Sequence, residues 1–158
     1  MKRGGEIISD DIFKFNFDFE GIEETCNNLD LYDQKAVDAA THAMVENTEA
    51  LLGKSMRIVP HDEGMLEGSG SAMVQEEEIA HGTDDGAMVQ TGKAPSARPG
   101  AVITGTVSYN KPYALRQHEE LSYRHKEGRQ AKYLETPLKE FVREFAKNIA
   151  DAVRSVRR

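Results

Sequence analysis

The stretch DQKAVDAATHAMVENTEALLGKSMRIVP, residues 33–60, carries the clearest structural signal in the chain. Asp30 or Asp33 can cap the start of a helix there, and Pro60 ends any remaining helical tendency. At 1.5 Å per residue, a helix from Asp33 to Met56 would be about 36 Å long and would run the length of a domain this size. The residues that predict its buried face recur at spacings of three and four: Val37, Ala40, Met44, Thr48, Leu51, Leu52 and Ser55.

A second amphipathic helix is predicted at the C-terminal end of the sequence. Pro137 falls in its first turn, where a missing N–H is tolerated. Arg154, Arg157 and Arg158 suit the negative end of the helix dipole. Its apolar stripe consists of Leu134, Leu138, Phe141, Val142, Phe145, Ile149, Val153 and Val156.

Residues 12–19, IFKFNFDF, alternate phenylalanine with polar side chains and predict a strand with one aromatic face. An unpaired strand of this kind would be an aggregation hazard. We expect it to pair within its own chain. Donation of the strand to a neighbouring subunit is the more specific alternative.

Short apolar runs separated by glycine fill residues 61–111 and predict a small antiparallel meander. Asp84-Asp85-Gly86 is typical of a hairpin turn, and residues 91–100 lack any periodicity. We therefore expect a mobile loop around 82–100. The prediction is a single α+β domain over 1–158, in which a small antiparallel sheet packs against a long N-terminal-half helix and a C-terminal amphipathic helix.

Composition limits the possible classes of protein. The chain has 158 residues, of which 39% are hydrophobic and 30% charged, with a net charge of −7 and one cysteine. These values, and the lack of any long apolar run, argue against a membrane or disulfide-stapled protein. The charge is unevenly divided: residues 1–85 carry 20 acidic and 6 basic side chains, and residues 86–158 carry 7 and 14. Such a chain can neutralise itself within the fold or pair head-to-tail with copies of itself.

No catalytic, cofactor or metal site is predicted. His118-Glu119 lacks the second histidine of a zinc-protease helix, because position 122 is serine. The five histidines are scattered, and the small residues around Gly68 fit a tight turn better than a phosphate loop. A small hydrolase using His118 and Glu119 is the enzyme alternative, disfavoured because no nucleophile or metal partner accompanies them.

The segment 116–133 places basic residues beside Tyr123 and Tyr133, a pattern that can follow a phosphate backbone. A nucleic-acid-binding module is therefore one alternative, and docking onto an acidic protein surface is another. We predict that acidic residues of the first half meet basic residues of the second half across a subunit seam. The candidate interface residues are Glu63, Glu67, Glu76, Glu77, Glu78, Arg116, His118, Glu119, Arg124, Arg129 and Lys132.

Three local patterns, in their order along the chain, resemble a known family. A long helix runs into PHDEGMLEGS at 60–69, VSYNKPYA at 107–114 precedes Gln-His-Glu, and GRQAKYLETPL at 128–138 begins the closing helix. Together they resemble the head–tail joining proteins of long-tailed bacteriophages, also labelled tail-completion, neck or minor capsid proteins. The resemblance spans roughly residues 33–150.

The resemblance implies a structural virion protein rather than an enzyme. It implies a ring of six or twelve copies at the neck of the particle, between portal-side connector proteins and the tail, with DNA passing through the channel. The protein would be in the host cytoplasm during assembly, with no cofactor and no membrane partner.

Overall fold

The computed structural model describes residues 13–17, 33–61 and 64–156. Nine elements follow one another along the chain, and they form the α+β fold expected from the sequence. The strands are β1 (Phe13–Phe17), β2 (Gly70–Val74), β3 (Glu77–Gly82), β4 (Met88–Gln90) and β5 (Gly105–Tyr109). The helices are α1 (Gln34–Ile58), α2 (Met65–Gly68), α3 (Ala114–Glu119) and α4 (Glu135–Ser155).

The five strands form one antiparallel sheet in the order β1-β5-β2-β3-β4. This order differs from a simple meander, because β5 returns to lie between β1 and β2. The predicted aromatic strand pairs within its own chain: Phe13, Phe15 and Phe17 lie opposite Tyr109, Val107 and Gly105. Ile12 and Phe19, the ends of that prediction, lie outside the described residues.

Helix α1 lies between the sheet and α4, so residues on two of its sides are buried. Toward the sheet, Ser55 Oγ is 2.8 Å from the hydroxyl oxygen of Tyr109. Toward α4, the Asn47 amide donates to the carbonyl oxygen of Phe145 at 2.9 Å, and the Lys54 ammonium lies 3.6 Å from the ring centre of Phe141. The core is therefore continuous from the sheet through α1 to α4.

Both long helices begin and end close to the predicted residues. The Asp33 carboxylate caps α1 by accepting from the Lys35 N–H at 3.0 Å. Helix α4 carries Pro137 in its first turn and buries Leu138, Phe145, Ile149 and Val153 of the predicted stripe. Phe141 and Val142 are half-buried, and Val156 is exposed. The segment that follows Pro112, whose sequence fits either a short helical turn or an extended exit from the sheet, is helical and forms α3.

Three features of the central region differ from the sequence-based expectation. Met65 and Leu66 lie in the short helix α2 rather than in a strand. The run VITGTV at 102–107, whose β-branched residues predict the strongest strand of this region, is in a strand only from Gly105, and that strand continues to Tyr109. The Asp84-Asp85-Gly86 turn joins β3 to β4 as expected, so the irregular segment is confined to 91–104. The mobility predicted around 82–100 stays a prediction.

Among the helices of the described residues, none is both long enough and apolar enough to cross a membrane.

Candidate interaction site

Arg129 connects the basic segment 116–133 to the C-terminal end of α1. Its guanidinium donates to the carbonyl oxygens of Met56 at 2.9 Å and Val59 at 3.1 Å. The neighbouring Gln130 N–H donates to the Ile58 carbonyl oxygen at 2.8 Å. These bonds satisfy carbonyls that the end of a helix leaves without intrahelical partners. A positive charge there also suits the helix dipole.

The same guanidinium forms an ion pair with Glu67, whose side chain is almost completely buried. The Glu67 Oε1 atom also lies 3.0 Å from Nδ1 of His61. A buried carboxylate is tolerated only with such partners. Glu67 and Arg129 are thus partners within one chain, which leaves neither charge free for the subunit seam predicted from the sequence.

His118 is part of the core rather than the surface. Its side chain is 0% exposed, and its ring packs edge-on against Tyr133, with centroids 4.9 Å apart. Nδ1 lies 2.7 Å from Glu119 Oε1, and Nε2 lies 3.4 Å from the backbone nitrogen of Glu135, which donates to it. Burial lowers the pKa of His118, against the opposing effect of Glu119. A neutral ring that donates from Nδ1 and accepts at Nε2 satisfies this arrangement.

Lys132 completes a polar cluster around His118. Its ammonium lies 2.5 Å from Glu119 Oε2 and 3.3 Å from Glu135 Oε2. Although burial opposes the effect, hydrogen bonds from Lys132 and His118 lower the pKa of Glu119. The Lys132 N–H also donates to the His118 carbonyl oxygen at 2.8 Å. The cluster therefore ties the loop after α3 to the start of α4.

The aromatic part of the basic segment is divided between core and surface. Tyr133 is fully buried, and its hydroxyl donates to the Ala114 carbonyl oxygen at 2.6 Å. Tyr123 is exposed. Tyr133 lies in the core, and Arg129 and Lys132 form ion pairs within the chain. These three residues of the pattern that suggested nucleic-acid binding therefore have partners inside the fold.

The other candidate interface residues lie at the surface or outside the described ranges. Glu76 is exposed at the tip of the turn between β2 and β3, where Glu77 begins β3. Glu78 accepts a hydrogen bond from the Ser71 hydroxyl at 2.9 Å. Arg116 on α3 and Arg124 in the following loop are exposed. Glu63 lies outside the described residues.

A cleft of about 510 Å³ opens where the segment after α1, helices α2 and α3, and the loop after α3 meet. We call it the basic cleft. Its apolar wall is formed by Pro60, Met65, Leu66 and Tyr113. Its polar side is formed by Gln117, His61 and the consecutive residues Arg124, His125 and Lys126.

Two properties of the basic cleft are typical of a protein-binding surface. Met65 is 44% exposed and Tyr113 is 41% exposed, which are large values for such side chains. The Nε2 atom of His125 is buried without a hydrogen-bond partner among the described residues. Buried polar atoms normally have partners, so this nitrogen could bond to a polar group placed in the cleft.

The sequence reasoning missed Met65 and Tyr113 as surface residues of a site. Met65-Leu66 is one of the short apolar runs that predict strands, Tyr113 lies in a segment that fits a helical turn or an extended chain, and no periodicity marks either residue as exposed. In the part of the chain that the structure describes, no group of three His, Cys, Asp or Glu residues could hold a metal ion. Comparison with protein-family models, curated proteins and solved structures gave no match.

Proposed function

We propose that the chain is a structural protein of a phage particle, forming a homo-oligomeric ring at the head–tail junction that joins the connector to the tail. The observation that carries this proposal is the placement of charge. The His118–Glu119 and Glu67–Arg129 pairs make their contacts within the chain. The apolar and charged side chains around the basic cleft, in contrast, suit contacts with other proteins.

The enzyme alternative relies on a histidine that solvent cannot reach. The His118 ring is enclosed by Tyr133 and bonded at both nitrogens, so a substrate would have no access to a free lone pair. A general base must come within hydrogen-bond reach of the proton it removes. Its surroundings instead favour a role in holding the loop after α3.

The nucleic-acid alternative retains Arg116, Arg124 and Lys126 as exposed cations, with Tyr123 beside them. A contact with DNA inside a neck channel would draw on the same residues. Backbone binding that neutralises three phosphates would give a salt slope of about −3 in a log–log plot. A filter-binding titration on duplex DNA in which the log of the binding constant falls with the log of the salt concentration at about this slope would favour this alternative over protein contacts.

The test of the proposed role is genetic and structural. In a phage or prophage that encodes this chain, removal of its reading frame should leave filled heads and finished tails unjoined, as seen by electron microscopy. Supplying the chain from a plasmid should restore joined particles. Normal particles without the chain would contradict the proposal.

A further inference from the structure

We propose that the basic cleft receives the acidic β2–β3 turn of a second copy of this chain, in a head-to-tail contact. This inference rests on the proposed ring and identifies the two surfaces that meet in it. We define the acidic turn as residues 75–77 together with Val102, which lies beside them.

The acidic turn is held in shape by its neighbours. The Gln75 side chain donates to the Val102 carbonyl oxygen at 3.2 Å and accepts from the Thr104 N–H at 2.9 Å. The Gln75 N–H donates to the Thr104 carbonyl oxygen at 3.1 Å. Such a turn needs little further ordering when it binds, which reduces the entropic penalty of association.

The backbone of this turn adopts a conformation that favours glycine, yet it carries two larger side chains. Gln75 has φ 52° and Glu76 has φ 64°, both in the left-handed region. A two-residue connection between antiparallel strands favours positive φ at both of its residues, and the hydrogen bonds of Gln75 help to hold it in that conformation. Glu76 is exposed and has no side-chain partner among the described residues. Strain retained at an exposed, unpaired side chain is consistent with a role for that side chain in a contact.

Charge and polarity complement each other across the proposed contact. The turn carries Glu76 and Glu77, and Val102, which is 66% exposed, is joined to it by the hydrogen bond from the Gln75 side chain. The basic cleft presents Arg124 and Lys126, neither of which forms an ion pair within the described ranges. Its wall at Met65 and Tyr113 offers apolar surface to Val102. A hydrogen-bonding group from the turn could also reach the unpartnered nitrogen of His125.

The two surfaces lie at opposite ends of strand β2. Residue 65, at the cleft, precedes the strand, and residue 76 follows it; five strand residues between them span about 17 Å. One copy therefore cannot satisfy its own cleft with its own turn in this geometry. Two different patches on each subunit produce a heterologous contact, which closes into a ring when the rotation between neighbours is suitable.

The test uses matched charge reversals in the full chain, with association followed by native mass spectrometry and sedimentation velocity at low salt. Glu76→Lys with Glu77→Lys should weaken self-association about 10- to 30-fold, and so should Arg124→Glu with Lys126→Glu. Glu140→Lys with Glu144→Lys changes the same charge at exposed positions of α4 and serves as the control. That control should associate like the wild type.

The decisive experiment combines the reversal of the acidic turn with the reversal of the basic cleft. An equimolar mixture of the two double variants, and the fourfold variant alone, should both recover association, because each acidic surface again faces a basic one. Recovery separates a direct contact from misfolding, which a second set of mutations would not repair. Wild-type affinity in either double variant, no recovery in the combinations, or a wild-type chain that stays monomeric at about 1 mM would each overturn the contact.

The outcome is independent of the genetic test of the ring. If removal of the chain leaves heads and tails unjoined while the charge-reversed variants support normal joining, the neck role stands and the turn-in-cleft contact is wrong.

Discussion

The guanidinium of Arg129 binds the buried carboxylate of Glu67, 62 positions earlier in the chain. The pair connects the loop after α3 to α2, and through the Met56 and Val59 carbonyls it also holds the end of α1. One side chain thus joins three segments that form the wall of the basic cleft. Its removal should affect the shape of the cleft as well as the stability of the fold.

The first prediction concerns this pair. Arg129→Met should lower the free energy of unfolding by about 3 kcal/mol, because the Glu67 carboxylate is left buried without its cationic partner. Glu67→Gln in the same background should recover part of that loss. Urea unfolding of the two single variants and the double variant gives the coupling energy. Strictly additive effects would contradict the pairing.

The second prediction concerns pH. The folded pKa of His118 is lowered from 6.5, so the unfolded chain binds more protons than the folded one as the pH falls below that value. The free energy of unfolding should therefore decrease between pH 7.5 and pH 5.5, by at most about 1.4 kcal/mol per pH unit from this group. Glu119 and Glu135 have lowered pKa values and add a separate loss only below about 4.5.

The control for the pH effect is His118→Gln. This variant should be less stable at neutral pH, because it disturbs the contacts with Glu119 and Tyr133. Its unfolding free energy should change less between pH 7.5 and pH 5.5 than that of the wild type. Equal pH dependence in the two proteins would show that other groups are responsible.

The third prediction uses two glycines in different surroundings. Gly64 has φ +78°, and a Cβ there would lie 2.1 Å from the carbonyl oxygen of Asp84. Gly64→Ala should therefore destabilise the protein by more than about 1 kcal/mol. Gly53 lies within α1, and a Cβ there would meet nothing within 4 Å. Gly53→Ala should stabilise the protein by about 0.5–1 kcal/mol, through helix propensity. Thermal unfolding distinguishes the two; a stabilised Gly64→Ala variant would contradict the close approach of Asp84.

The fourth prediction concerns the irregular segment 91–104. Trypsin should cut the free protein after Lys93 before it cuts after Lys147 in α4, because Lys93 is exposed in a segment without strand or helix, whereas Arg98 precedes a proline and is resistant to trypsin. Mass spectrometry of early fragments identifies the order. Association of the chain should slow cleavage at this site, since Val102 of the same segment belongs to the acidic turn. Earlier cutting within α4 would contradict the prediction.

The fifth prediction concerns the hydrogen bond between Ser55 and Tyr109. Both side chains are buried between α1 and the sheet, with oxygens 2.8 Å apart. Tyr109→Phe should lower the free energy of unfolding by about 1–2 kcal/mol, because the Ser55 hydroxyl loses its partner in the core. Tyr109→Phe combined with Ser55→Ala should lose less than the sum. Unfolding by urea measures all three variants.

The helices were predictable from sequence because their periodicity is local. The pattern from Val37 to Ser55 marks a buried face whatever the rest of the chain does. The turn at Gln75 and Glu76 was not predictable, since neither residue favours a positive φ and the bonds that hold Gln75 come from residues 102–104. The place of β5 between β1 and β2 likewise depends on long-range pairing, which leaves no periodic signal.

The candidate site was less predictable than the fold. The sequence shows that Glu67, Arg129, His118 and Lys132 are charged or titratable, but their spacing does not show which of them face the core. Glu67 and Arg129 meet only after the chain has passed through four strands and one short helix. Met65 and Tyr113 look like core residues in the sequence, and their exposure follows from their positions at the starts of α2 and α3.

The pairing of β1 with β5 has a consequence for biosynthesis. Phe13 lies opposite Tyr109, so the first strand of the sheet cannot dock until the ribosome has added about 96 more residues. At about 5–20 residues per second, the aromatic segment of a nascent chain waits some 5–20 s for its partner. During that interval it presents phenylalanines on an unpaired strand, the situation in which chains aggregate or recruit chaperones. Slow translation of residues 18–104 should therefore reduce the soluble yield of this protein more than slow translation of α4.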